Sequence, residues 1–265
     1  MRLGSAVSRR TRALPRAAAV LVSAGLVAAV TFGPPHADAG AAAAPRAVVA
    51  FGDSVPFGSA CGCTPFPGTY AGMVQRNIGA QVRVTNLARG GGRSSGVRDQ
   101  IETSSAQAAI RGASTVVIMI GANDFGPAFT RVRNGAPAEP EFEPVATAVK
   151  ANVTRTVQRI RAIHSGPVTV AIVGYWNVFR DGRVARQQYT PAERVATALA
   201  TSKANSALYE AAVATQSRYV STWGAFKGSD GSVDPTPLLA HDGDHPNTSG
   251  HARIAGELYA KLPNG

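Results

Sequence analysis

Cysteine, tryptophan, methionine and charge are all sparse in this 265-residue chain: two Cys, two Trp, three Met and 16% charged residues. Two cysteines cannot staple a small disulfide-built fold, so a hydrophobic core must carry the stability. Nor can two thiolates alone complete a tetrahedral shell, which sets aside a structural zinc site. No run of basic residues occurs and aromatics are only 6%. The net charge of +11 comes from scattered arginines rather than from the basic stripe that nucleic acid requires, so no nucleic-acid partner is expected. The most apolar stretch, residues 17–32, falls short of the roughly 20 residues a membrane-spanning helix needs. No internal repeat is present, and no linker divides the remainder.

What the N-terminus does have is a pattern. Residues 1–16 hold Arg2, Arg9, Arg10, Arg12 and Arg16 and no acid; the apolar stretch follows, then Ala37-Asp38-Ala39. A basic region, an apolar region and an Ala-x-Ala site make residues 1–39 an export signal. Ser8-Arg9-Arg10 points towards the twin-arginine route, but Arg12 stands where that signal carries an apolar residue, so the general secretory route stays open. Residues 40–45 are a Gly/Ala/Pro leader, and 46–265 form one domain. Removing the signal takes away five Arg and one Asp and lowers the charge to about +7. A secreted or cell-wall-associated protein of that charge favours acidic surroundings such as anionic lipid or cell-wall polymer. Export also permits a disulfide between Cys61 and Cys63, a very small ring that would stiffen its loop and stabilise the chain little.

Apolar runs separated by helical spacing set the fold class. Strands are expected at 46–51, 82–87, 114–120, 167–173 and 219–222, with helices at 69–78, 96–111, 145–164, 191–216 and 249–262. Residues 125–144, with four prolines, are expected to be a long loop, 175–189 an exposed polar loop, and 224–242 a third loop. Strands that alternate with helices and lack tight hairpins argue a parallel sheet with helices on both faces.

The chemistry gathers where strands end. The first strand stops at Gly52-Asp53-Ser54, the second before Gly90-Gly91-Gly92, and the third at Gly121-Ala122-Asn123. In a parallel sheet these ends share one edge, where ligands bind. A serine there needs a base and a group to orient that base. Asp242 and His245, three residues apart, would meet within one helical turn and supply both. Gly92-Arg93-Ser94-Ser95-Gly96 offers a rival, the Gly-x-Ser-x-Gly elbow. That elbow needs a strand running directly into its serine, and a glycine run intervenes here. His241 and His251, with Asp242, Asp244 and His245, show no recognised metal-ligand spacing. His164 is expected to meet the last carbonyls of its helix, and Tyr175, Trp176 and Trp223 to be core or pocket wall.

Four blocks in order, Gly52-Asp53-Ser54, Asn86-Leu87-Ala88-Arg89-Gly90-Gly91, Gly121-Ala122-Asn123-Asp124 and Asp242-Gly243-Asp244-His245, resemble those of the SGNH (GDSL-type) hydrolases. The resemblance implies a flavodoxin-like three-layer α/β/α sandwich of about five parallel strands and a serine esterase or lipase without metal or cofactor. Ser54 would be the nucleophile, His245 the base and Asp242 its orienter, with the Ser54 and Gly91 amides and the Asn123 side chain as oxyanion hole. The second block departs from the pattern, with Arg89-Gly90 where a small or apolar residue and a serine are usual. The substrate implied is an ester of lipid or acylated glycan. Acyl transfer to a sugar on the same fold, and a non-catalytic surface-binding role, are the alternatives.

Overall fold

The computed structural model describes residues 46–263; the expected export signal (1–39) and the expected leader (40–45) lie outside the described residues. Five strands form the frame: β1 (Arg46–Gly52), β2 (Val82–Asn86), β3 (Thr115–Met119), β4 (Thr169–Val173) and β5 (Arg218–Val220). They make one all-parallel sheet in the order β2-β1-β3-β4-β5. Every residue of β3 is buried, as are the last five of β1, which is why both appear in the sequence as unbroken apolar runs. The chain passes from β1 outward to β2, then crosses back to β3 on the other side of β1. The carboxyl ends of β1 and β3 therefore flank the point where strand order reverses, with Gly52 paired to Met119.

Among the described residues ten α-helices connect and cover the sheet: α1 (Ser54–Phe57), α2 (Phe66–Ile78), α3 (Ser94–Gln100), α4 (Ser104–Arg111), α5 (Gly126–Arg133), α6 (Ala138–His164), α7 (Gly182–Gln188), α8 (Pro191–Ala214), α9 (Trp223–Lys227) and α10 (Thr248–Lys261). The helices α2 and α10 pack together, while α6 packs on α3 and α8, which completes the three layers. A stripe of Phe142, Val149, Val153, Val157 and Ile160 carries α6 into the core at helical spacing. The start of α8 is fixed by a capping box in which Thr190 and Glu193 satisfy each other's backbone N–H groups, with Pro191 in the first turn. Among the described residues no helix is long and apolar enough to cross a membrane.

The expected loops are more ordered than their composition implied. Residues 125–144 hold α5 and about the first two turns of α6, because all but one of the prolines sit where helices tolerate them. Pro127 lies in the first turn of α5, Pro137 caps α6 and Pro140 occupies its first turn, where no intrahelical acceptor is lost. Only Pro144 lies inside the helix. Residues 175–189 carry α7, and Tyr175, Trp176 and Val178 are buried rather than exposed, with Trp176 stacked on Phe226 at 4.2 Å. Residues 224–242 contain most of α9 and a 3-10 turn at 236–238. The single helix expected at 96–111 is two, parted where Thr103 caps α4. The His164 ring reaches the carbonyls of Gly166 and Ala113 rather than those of its own last turn.

Candidate active site

The first block turns on Gly52. Its φ of +155° is a conformation L side chains rarely adopt, and a Cβ there would collide with the Met119 carbonyl and the Pro56 ring. The chain thereby turns sharply from β1 into α1, and Ser54 becomes that helix's first residue, half-buried at the sheet edge. As a first-turn residue its N–H has no acceptor within the helix. Asp53 caps the helix through Oδ1, which accepts the Val55 N–H at 3.0 Å. Its Oδ2 accepts a short hydrogen bond from the Tyr175 hydroxyl, which in turn accepts the Ala122 N–H at 3.5 Å. Burial pushes the Asp53 carboxyl up to about 6, against the opposing hydrogen bonds from Tyr175 and Val55. Burial and the neighbouring Asp53 carboxylate raise the Tyr175 hydroxyl well above its ordinary value. A buried chain of bonds thus ties the residue before Ser54 to the residue before Asn123. Sequence reasoning left Tyr175 as wall or core; the signal was Gly174, which ends β4 at the same sheet edge as Gly52 and Gly121 end theirs.

The second block is laced onto the first. The N–H groups of Leu87 and Arg89 donate to the carbonyls of Ala50 and Gly52, and the Asn86 amide donates to the Pro56 carbonyl at 2.7 Å. In the glycine run, the Gly92 N–H is spent on the Arg89 carbonyl, which removes Gly92 as a donor from this turn. The Asn123 amide donates one N–H to the Gly92 carbonyl at 2.9 Å, which holds the group in place with a second N–H to offer. Asp124 fixes the third block from the other side: its carboxylate accepts both the N–H and the hydroxyl of Ser94, at 2.9 and 2.6 Å. Asn152 also donates to that hydroxyl, and Ser94 is 1% exposed. The rival elbow serine is therefore a buried cross-link between the second and third blocks.

The fourth block is an irregular turn, not the helical turn expected. Gly243, at φ +71°, bends it against Val184. Asp242 Oδ1 accepts the N–H groups of Asp244 and His245, and Oδ2 meets His245 Nδ1 at 2.7 Å. Burial pushes the Asp242 carboxyl up, but the hydrogen bonds from the His245 ring and the two backbone N–H groups outweigh it and hold the carboxyl below its ordinary value. With Nδ1 so engaged, Nε2 is the nitrogen left to exchange a proton. Burial raises the neighbouring Asp244 carboxyl. Burial, and then the His245 charge, push His251 down to about 4; its Nδ1 accepts the Phe66 N–H. A ring nitrogen of His251 and both sulfurs of Cys61 and Cys63 lie within 4.8 Å of one another, but the sulfurs are joined in a disulfide and are not thiolate ligands. Neither His241 nor His251 makes the acid–histidine contact that His245 makes.

A five-stranded parallel sheet between helical layers, with a glycine-turned serine and a tethered asparagine after its strands and an acid-held histidine in a later turn, places the molecule among the SGNH hydrolases. The sequence profile of the GDSL-like Lipase/Acylhydrolase family matches residues 50–253, and the chain belongs to that family: it is a carboxylic ester hydrolase. No curated protein matches it in sequence. Solved structures share its fold at low identity. A lipase from a goat rumen metagenome superposes with a TM-score of 0.66 at 18% identity, over 81% of this chain and 96% of that one. An acetylxylan esterase from Geobacillus stearothermophilus gives 0.56 at 18%, over 81% and 93%. A lipase/acylhydrolase from Enterococcus faecalis gives 0.52 at 18%, over 83% and 98%.

Proposed function

We propose that the protein is an exported serine esterase that works through Ser54, His245 and Asp242. Ser54 Oγ attacks the ester carbonyl while His245 Nε2 takes its proton; Asp242 holds Nδ1–H and the resulting imidazolium. The oxyanion is met by the N–H groups of Ser54 and Gly91 and the free N–H of the Asn123 amide. The C–O bond to the alcohol breaks as His245 returns the proton to it, leaving an acyl group on Ser54. Water, deprotonated by the same nitrogen, then releases the acid. The observation that carries this reading is the 2.7 Å contact between Asp242 and His245 Nδ1. Export rests on the signal-like residues 1–39, and the positive charge favours an anionic lipid or an acylated cell-wall glycan. One structural neighbour is a lipase and another an acetylxylan esterase, so both kinds of ester suit the fold. Transfer of the acyl group to a sugar instead of water would show as a strong preference for an alcohol acceptor.

The test is hydrolysis of p-nitrophenyl esters of increasing chain length by the purified protein and by Ser54→Ala and Ser94→Ala. We expect Ser54→Ala to lose at least about 10³-fold in kcat, and Ser94→Ala to keep most of its activity. Death of Ser94→Ala with survival of Ser54→Ala would overturn the assignment.

A further inference from the structure

Beside the catalytic turn lies a cavity of about 240 Å³ walled by Trp176, Arg180, Asp181, Arg186, Arg194 and Lys227 among others. It opens between the β4–α7 connection, α8 and α9. Four of its walls are cationic, and Asp181 is the one acid among the lining residues. Asp181 is spoken for: its two oxygens accept from Lys227 Nζ at 3.0 and 2.8 Å. Arg186 pairs with Asp234, which is not part of the lining. Arg180 bonds the Tyr189 side chain and faces Asp244 of the catalytic turn. Arg194 donates one N–H to the Tyr189 carbonyl and forms no ion pair among the described residues. Trp176, 1% exposed and stacked on Phe226, closes the inner wall.

The cavity is joined to the chemistry. The Asp181 N–H donates to the Gly243 carbonyl at 2.7 Å, and Gly243 lies between Asp242 and His245. The segment that carries Trp176, Arg180 and Asp181 also begins at Tyr175, which holds Asp53.

We propose that this cavity is an anion subsite, resting on the esterase reading above, and that the preferred substrates are esters whose alcohol part carries a phosphate or a carboxylate. Guanidinium groups suit such oxyanions because their forked N–H donors match two oxygens at once. The subsite would seat the anion while the ester carbonyl lies at Ser54.

Two matched pairs of substrates test this. One is butyryl glycerol 3-phosphate against monobutyrin; the other is an acetylated methyl galacturonide against the acetylated methyl galactoside. In each pair kcat/KM of the anionic ester is divided by that of the neutral one, at low salt, so a general loss of activity cancels. We expect a ratio of about 10 to 100 in the wild type for at least one pair, the size of a charge-assisted hydrogen bond. The ratio should shrink several-fold in 0.5 M salt, and drop to within about threefold of unity in Arg194→Met, with Arg180→Met as the second variant should the first not fold. Preference in the first pair alone names a phosphate-bearing lipid; in the second alone, an acidic glycan. Ratios near unity in both pairs, with the neutral esters turned over, overturn the subsite and leave the esterase intact. A wild-type preference that survives both arginine variants overturns it too. No turnover of any ester would instead strike at the Ser54 centre, and the subsite would fall with it.

Discussion

The Tyr175 hydroxyl serves two buried partners, so Tyr175→Phe removes two bonds and almost no volume. Asp53 Oδ2 loses its donor and the Ala122 N–H its acceptor. A hydrogen bond to a charged group contributes about 1.5–3 kcal/mol, and the longer bond to Ala122 adds little. In a domain of this size 1 kcal/mol moves Tm by about 2–4 °C, so the variant should melt roughly 4–10 °C lower. The loss should depend on pH. Burial holds the Asp53 carboxyl at about 6 in the folded protein, above its ordinary value of 3.8, so the folded state binds this proton more tightly than the unfolded chain does. Its contribution to stability is whole below pH 4 and is lost as pH rises through 6, a cost of about 3 kcal/mol by linkage. Above pH 6 the carboxylate must be held charged in place and depends most on the Tyr175 O–H. Thermal melts of wild type and Tyr175→Phe at pH 5 and pH 8 should therefore differ more at pH 8. An equal difference at the two pH values would refute the role given to this pair, and so would an unchanged Tm.

Other substitutions separate the remaining parts. Asn123→Ala should lower kcat about 10²- to 10³-fold with little change in KM, since its free N–H would act on the oxyanion rather than on the ground-state ester; steady-state kinetics on a short-chain ester decide it. Asp242→Asn should keep the turn but lose about 10⁴-fold in kcat, because the amide cannot stabilise the imidazolium; stopped assays with a long time base would read it. Gly52→Ala should cost more than about 4 kcal/mol, as both the positive φ and the Met119 carbonyl oppose a Cβ; urea denaturation measures it, and a loss under about 1 kcal/mol would contradict the geometry.

The sheet was legible in the sequence because buried parallel strands are written as apolar runs stopped by glycine, as at Gly52 and Gly121. The same punctuation put Ser54 and Asn123 at one edge. Prolines misled at 125–144 because their positions within a first turn, as for Pro127 and Pro140, depend on where the helix begins. Pairings across long separations were not legible at all. Asp53 and Tyr175 stand 122 residues apart, and Ser94 and Asp124 thirty, so nothing local announces either bond. The Asp242–His245 contact was foreseen for the wrong reason: spacing suggested a helical turn, whereas a glycine bend and two backbone N–H groups on Asp242 make the approach.

The sheet's two outer strands bear on how the protein behaves when crowded. β5 has three residues, too few to template a partner strand. β2 is longer, but four of its five residues are exposed and Arg83 is among them, so a second copy aligning along that edge would add its own guanidinium to the first. The protein thus carries its guard against strand-to-strand association in the outer strands of the same sheet that positions its serine.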